Sequence, residues 1–271
     1  MECLAISRHS PVGGLGFVHL CGLLHCPQLV ATACGPTSGG LRGVNMVNLL
    51  RFGEIATERD LRLAIVEAGR ICYAQGLMPA NNGNISVRMG EDRVMITPST
   101  LCKGRMDLDD LLIIDLEGRV LRFNPRKRRR ISSETPMHLE AYRQRPDIRA
   151  VIHAHPAHAT ALTVAGIPFP EDVLPELLEG LGPVPTTDFA TPSSNENALA
   201  IRPHILGHDA VLIRNHGAIT VGHDLDEALV HLERVEHVAR VIVMAHGLGE
   251  IQHLPPEMIE KLHELRKAMK P

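Results

Sequence analysis

The stretch Ala150-Val151-Ile152-His153-Ala154-His155-Pro156 decides how this chain is read. Its apolar start reads as a buried strand, and the proline closes it. Residues two apart on a strand share a face, so His153 and His155 point the same way. Two neutral imidazoles on one face are a pair of ligands for one zinc ion.

A second apolar strand, Ala210-Val211-Leu212-Ile213-Arg214, runs directly into Asn215-His216-Gly217. Asn215 and Gly217 allow a tight turn, which sets His216 at the mouth of that strand as a third ligand. Upstream, Ser132-Ser133-Glu134-Thr135-Pro136 reads as a helix start, with Ser133 as cap and Pro136 in the first turn. Free amides and the helix dipole favour an anion there, so Glu134 is a candidate metal ligand and acid/base residue. His138 lies four positions on, on the same face, and reads as a supporting or core histidine. His158 reads as a helix residue facing elsewhere.

Three polar turns suit a phosphate. Gly83-Asn84 offers an amide and a side-chain donor, Thr97-Pro98-Ser99-Thr100 offers hydroxyls and N–H groups after a strand, and Ser132-Ser133 offers hydroxyls at a helix start. The candidate phosphate contacts are therefore Asn84, Thr97, Ser99, Ser132 and Ser133.

Around these motifs the pattern alternates between strands and helices. Thr57 with Asp60 forms a capping box ahead of Leu61, Ile65, Ala68, Ile71 and Cys72 at helical spacing, and Gly76 ends that helix. Ile85-Ser86-Val87 and Val94-Met95-Ile96 read as strands about Gly90, and Leu111 to Ile114 as another before a turn at Glu117-Gly118. Helices are expected to about Gln144, over His158–Val164, Leu174–Leu181 and Asn195–Leu206, from Asp224 to about Gly247, and over Pro255–Met269. Arg126-Lys127-Arg128-Arg129-Arg130 reads as a solvated surface loop; no aromatic residues interleave with it, which argues against nucleic acid.

The chain has 271 residues, a net charge of -3 and 44% hydrophobic residues. That suits one α/β domain with a large core and gives no electrostatic reason to expect nucleic acid or an anionic membrane as partner. Tryptophan is absent and there are two tyrosines and five phenylalanines, so the core must be aliphatic. Six cysteines without Cys-x2-Cys spacing argue against a cysteine zinc site or a disulfide framework, and point to a reducing, cytoplasmic setting. No run of about 18 apolar residues suggests a membrane span. Residues 1–45 show no sustained period and read as a partly disordered extension; residues 46–271 read as the catalytic domain. His19, Cys21, His25, Cys26 and Cys34 form a weak alternative metal cluster within the extension.

The quoted motifs, taken in order with Pro146-Asp147 and the long helix after Gly217, resemble the class II aldolase and adducin head-domain family over about residues 57–250. The resemblance implies a three-layer α/β/α fold with a mostly antiparallel central sheet, and a homotetramer with sites near subunit interfaces. It also implies one Zn2+ per subunit, or another divalent metal such as Mn2+ or Co2+, on His153, His155 and His216. Glu134 would coordinate the resting metal and then serve as acid/base residue, and Asn84, Thr97, Ser132 and Ser133 would hold a substrate phosphate. The expected partner is a phosphorylated ketose, with neither nucleic acid nor a membrane.

Glu134, where the related 4-epimerases have aspartate, favours aldol cleavage of a ketose 1-phosphate to dihydroxyacetone phosphate and a short aldehyde. The alternatives are a methylthioribulose-1-phosphate dehydratase-like lyase, a sugar-phosphate 4-epimerase, a sugar-acid phosphate decarboxylase and a non-enzymatic adducin-like module. Two departures stand out. Thr100 replaces the usual glycine of the phosphate turn, and Phe189 replaces the tyrosine with which fuculose-phosphate aldolase handles the aldehyde-side proton. Asp188, Thr187 or a water is the candidate substitute for that tyrosine, the alternative being a different substrate.

Overall fold

The computed structural model describes residues 56–192 and 194–269. The extension and its cysteine and histidine cluster lie outside the described residues.

Helix α1 (Glu58–Ala74) starts on the expected capping box, in which Thr57 accepts from the Asp60 amide and Asp60 accepts from the Thr57 amide. Strands β1 (Asn84–Met89) and β2 (Arg93–Ile96) follow, then two short 3-10 turns, β3 (Leu112–Asp115) and β4 (Val120–Arg122). Next come α2 (Thr135–Gln144), β5 (Ala150–Ala154), α3 (Ala157–Ala165), α4 (Pro175–Gly180) and α5 (Asn195–Ile205). The described chain closes with β6 (Ala210–Ile213), β7 (Gly217–Gly222), α6 (Leu225–Leu248) and α7 (Pro256–Met269).

The strands form one seven-stranded sheet in the order β4-β3-β2-β1-β5-β7-β6, and every neighbouring pair is antiparallel. Alternate side chains divide between two cores, as the period of a strand demands. Ile85, Val87, Ala150, Ile152 and Leu212 pack on one face with α1, α3 and α6. Val94, Ile96, Val151, Val211 and Ile219 pack on the other with α2 and α5. This is the expected three-layer α/β/α arrangement.

Three readings of the sequence need correction. Gly217–Gly222 is not merely the exit from a turn; it is the buried strand β7, paired with both β5 and β6. The helix at Ser132-Ser133-Glu134 begins one residue later than expected, with Glu134 in the capping position and without a side-chain cap. The Ser132 hydroxyl instead accepts from the Glu134 amide at 3.2 Å. The basic loop is also less solvated than expected. Lys127 pairs with Asp107 at 2.9 Å and Arg129 with the buried Asp110 at 2.8 Å.

Candidate metal and anion site

The register gathers several chain ends at one end of the sheet. Asn84, the first residue of β1, lies opposite His153 near the end of β5. Ala154 lies opposite Ala218, and Ile213 opposite Gly217 across the β6–β7 turn. That turn carries His216, with Asn215 in the left-handed region at φ +56° and its amide held by the Thr163 hydroxyl at 3.0 Å. A Cβ on Gly217 would lie 2.2 Å from the Ala154 carbonyl oxygen, so only glycine lets β7 pass β5 here. Gly83, at φ +72°, similarly leaves room for the His153 carbonyl.

His153, His155 and His216 converge as the sequence reading required. Their ring centroids are 4.8–4.9 Å apart, and one nitrogen from each falls within a 4.8 Å cluster. His153 Nε2 and His155 Nε2 face each other at 3.1 Å. The Nδ1 of His153 stands 2.9 Å from the Ala218 carbonyl. A carbonyl only accepts, so His153 carries its proton on Nδ1 and turns the Nε2 lone pair toward the cluster. Burial holds His153 well below the ordinary histidine range, with the neighbouring His155 and His216 adding to the effect. Burial, then the charges of His216 and Lys103, brings His155 down to about 4. Burial also lowers His216, against the opposing pull of Glu134. Three neutral imidazoles with converging lone pairs, one oriented by a backbone carbonyl, fit a divalent metal ion.

Glu134 borders the same cleft but lies outside the cluster of ligand atoms. Asn197 of α5 donates to its Oε2 at 3.1 Å and also approaches His216 Nδ1 at 3.3 Å. Asn197 was not singled out in the sequence. Its signal was a polar residue on the buried face of a helix, in phase with Ile201 and Ile205.

The cleft has a volume of about 440 Å³. Besides the histidines, its walls include Asn84, Ser99, Ser132 and Ser133. Thr97 is not in the wall: it is fully buried, and its hydroxyl accepts from the Ile85 amide at 3.1 Å. The Ser99 amide is also committed, to the Arg130 carbonyl at 2.9 Å, so that turn offers the Ser99 hydroxyl and not this N–H. The basic loop thus ends by bracing the turn. Lys103, which the sequence reading passed over, lies in the wall with only 1% of its surface exposed.

Behind the cleft runs a buried chain of hydrogen bonds whose directions can be deduced. His138 Nε2 is 2.6 Å from Asn84 Oδ1 and its Nδ1 is 2.7 Å from Ser86 Oγ, which is 3.0 Å from the Tyr142 hydroxyl. An amide oxygen only accepts, so His138 donates from Nε2. Burial depresses its pKa to about 3, so the ring is neutral and Nδ1 must accept from Ser86. Ser86 in turn accepts from Tyr142. At the other end Asn84 Nδ2 donates to Ser132 Oγ at 3.1 Å. Ser132 Oγ already receives that bond and the Glu134 amide, so its own O–H remains as a donor at the cleft wall. The expectation that His138 supports the site without being a ligand agrees with this position. His158 faces away, bonded to Glu236 at 2.7 Å.

Thr187 and Asp188 do not border the histidine cleft in the chain; they line a separate cavity with Arg214. The Thr187 hydroxyl donates to the Asp188 carbonyl. Phe189 is 66% exposed.

Fold and site together define a metal-dependent enzyme of the class II aldolase superfamily. Residues 63–243 match the family model described as Class II Aldolase and Adducin N-terminal domain, and the chain belongs to that family. Among its relatives is the methylthioribulose-1-phosphate dehydratase of Methylococcus capsulatus, 34% identical over 206 residues that make up 71% of this chain and 98% of the relative. The 5-deoxy-D-ribulose 1-phosphate aldolase of Bacillus thuringiensis is 31% identical over 74% of this chain and 92% of its own. A solved L-fuculose 1-phosphate aldolase superposes with a TM-score of 0.70 at 29% identity, covering 80% of this chain and all of the other. Among the described residues, no helix is long and apolar enough to cross a membrane.

Proposed function

We propose that this chain is a metal-dependent lyase of a ketose 1-phosphate, and that it eliminates water from a 5-methylthioribulose 1-phosphate type of substrate. The observation that carries the proposal is one cleft holding three neutral imidazoles, a carboxylate and a bank of hydroxyl and amide donors. The 34% identity to a methylthioribulose-1-phosphate dehydratase supports the choice of reaction. So does Phe189, because elimination does not require the tyrosine that the aldolase uses on its aldehyde side.

His153, His155 and His216 would hold the divalent metal, Zn2+ in this reading, which would supply polarisation of the ketone and the adjacent hydroxyl. The hydroxyls of Ser99, Ser132 and Ser133 and the Asn84 amide hold the phosphate, while Thr97 fixes the β1–β2 backbone under them. Glu134 takes the proton from C3, next to the ketone carbon, and returns it to the C4 hydroxyl, which departs as water as the C4–O bond breaks. The resulting C3–C4 enol then becomes the 2,3-diketone. Asn197 positions the Glu134 carboxylate for this transfer. A homotetramer with sites near its interfaces would place a partner subunit's residues over the open side of the cleft.

Aldol cleavage, which the sequence reading placed first, is the second reading. The L-fuculose 1-phosphate aldolase superposition favours it. Mass analysis of products from 5-methylthio and 5-deoxy ketose 1-phosphates separates the two. Dehydration yields a phosphate ester of unchanged carbon count, lighter by one water. Equimolar dihydroxyacetone phosphate and aldehyde would overturn it in favour of cleavage. Glu134→Gln is expected to retain metal and lose turnover; unchanged kcat in a metal-loaded variant would remove Glu134 from the reaction.

A further inference from the structure

Lys103 is the most deeply buried cation of the cleft, and none of the chemistry above uses it. It sits in the 3-10 turn Lys103–Arg105, just after the Pro98–Thr100 turn. Its Nζ donates to the Asn81 carbonyl and to the Leu101 carbonyl, both at 2.9 Å. It thereby ties the turn before β1 to the turn after β2, both of which line the cleft. An ammonium has three N–H donors, and among the described residues no third bond is made. No carboxylate among the described residues contributes to its electrostatics, which burial dominates.

A buried charge without a countercharge is costly, and proteins rarely keep one without use. Two carbonyls would be bridged equally well by a neutral donor. The position adds a further requirement: Lys103 shares the cleft wall with Asn84, Ser99, Ser132 and Ser133, all of them neutral donors. Apart from the metal, a phosphate dianion held by these neutral donors would have no positive charge beside it. We infer that Lys103 is the charge-bearing phosphate-binding residue of this cleft, its free N–H and positive charge completing the neutral cradle and making a doubly charged phosphate its preferred occupant. Burial lowers its pKa to about 8, so the ammonium form still prevails at neutral pH without a ligand. A bound dianion stabilises it further.

This inference rests on the sugar-phosphate reading of the site and can fail separately from it. The test measures binding of inorganic phosphate to the metal-loaded full chain by calorimetry, alongside KM and kcat for the ketose 1-phosphate. Lys103→Met removes both the charge and the bridging donors. Lys103→Gln keeps amide donors for the carbonyls and removes only the charge, so it controls for a merely structural role and for misfolding of the Met variant. Lys103→Arg keeps the charge. Both neutral variants are expected to bind phosphate about tenfold or more weakly, as loss of a charge-assisted bond implies. KM should rise by a similar factor, with metal content unchanged and kcat far less affected. The Arg variant should fall between these and the parent. A folded Lys103→Gln protein with the parent's phosphate affinity and KM would overturn the assignment while leaving the sugar-phosphate reading intact. A parent protein that neither binds phosphate nor turns over any ketose 1-phosphate would overturn both.

Discussion

Replacing His138 by glutamine should flatten the acid side of the protein's stability profile. In the folded chain, His138 is fully buried, and desolvation holds its pKa at about 3, against an ordinary value of 6.5. Between those values the unfolded chain binds one proton that the folded chain refuses, so stability rises with pH across the window. Its contribution is complete above the unfolded pKa and is lost as pH falls toward 3. The limiting slope is about 1.4 kcal/mol per pH unit, which amounts to about 2.5 kcal/mol between pH 6 and pH 4 for this residue alone. Glutamine donates and accepts, so it can bridge Asn84 Oδ1 and Ser86 Oγ without titrating. The assay is urea unfolding of metal-free parent and His138→Gln proteins at pH 6, 5 and 4. Metal must be absent because its binding to the histidines is itself pH-dependent; the resistance of His153 and His155 to protonation is common to both proteins and cancels in the comparison. The variant will start less stable at pH 7, since a shorter side chain leaves imperfect packing, but its loss on acidification should be smaller by about 2 kcal/mol. Parallel curves for the two proteins would show that His138 is not held neutral, and the deduced direction of the hydrogen-bond chain would fall with it.

Two further outcomes follow from the structure. Thr100 is a β-branched residue at φ +58° in the cleft wall, so Thr100→Gly should raise stability by about 1 kcal/mol and Tm by about 2–4 °C; an unchanged or lower Tm in a thermal scan would show that the turn is not strained. A chain beginning at Met46 retains the whole family match over residues 63–243, so its metal content and kcat should equal those of the full chain, and loss of either in a folded protein would give residues 1–45 a part in the site.

Much of the site was legible because its determinants are local. His153 and His155 share a face through the period of a strand, and Thr57 with Asp60 announces a helix within four residues. The strand β7 was not legible. Gly217-Ala-Ile-Thr-Val-Gly222 is short and bounded by glycines, and only its long-range pairing with Ala150–Ala154 makes it a central strand. The capping position moved from Ser133 to Glu134 because the Ser132 hydroxyl takes the Glu134 amide, a choice between adjacent serines that spacing does not settle. Thr97 carries the right chemistry for a phosphate contact, but the β1–β2 register turns its hydroxyl to the Ile85 amide. Lys103 and Asn197 gave little signal, since each acquires its meaning from partners distant in sequence: the Asn81 carbonyl for one, Glu134 and His216 for the other.

Elemental analysis of the purified protein beside His155→Ala decides whether the three histidines form one metal centre. His155 supplies one of three converging nitrogens and is partly exposed, so its loss should not unfold the chain. About one divalent metal per chain is expected in the parent, and in the folded variant the loss of most of that metal together with turnover. Stoichiometric metal in His155→Ala, or a parent protein that takes up none when dialysed against zinc, would contradict it.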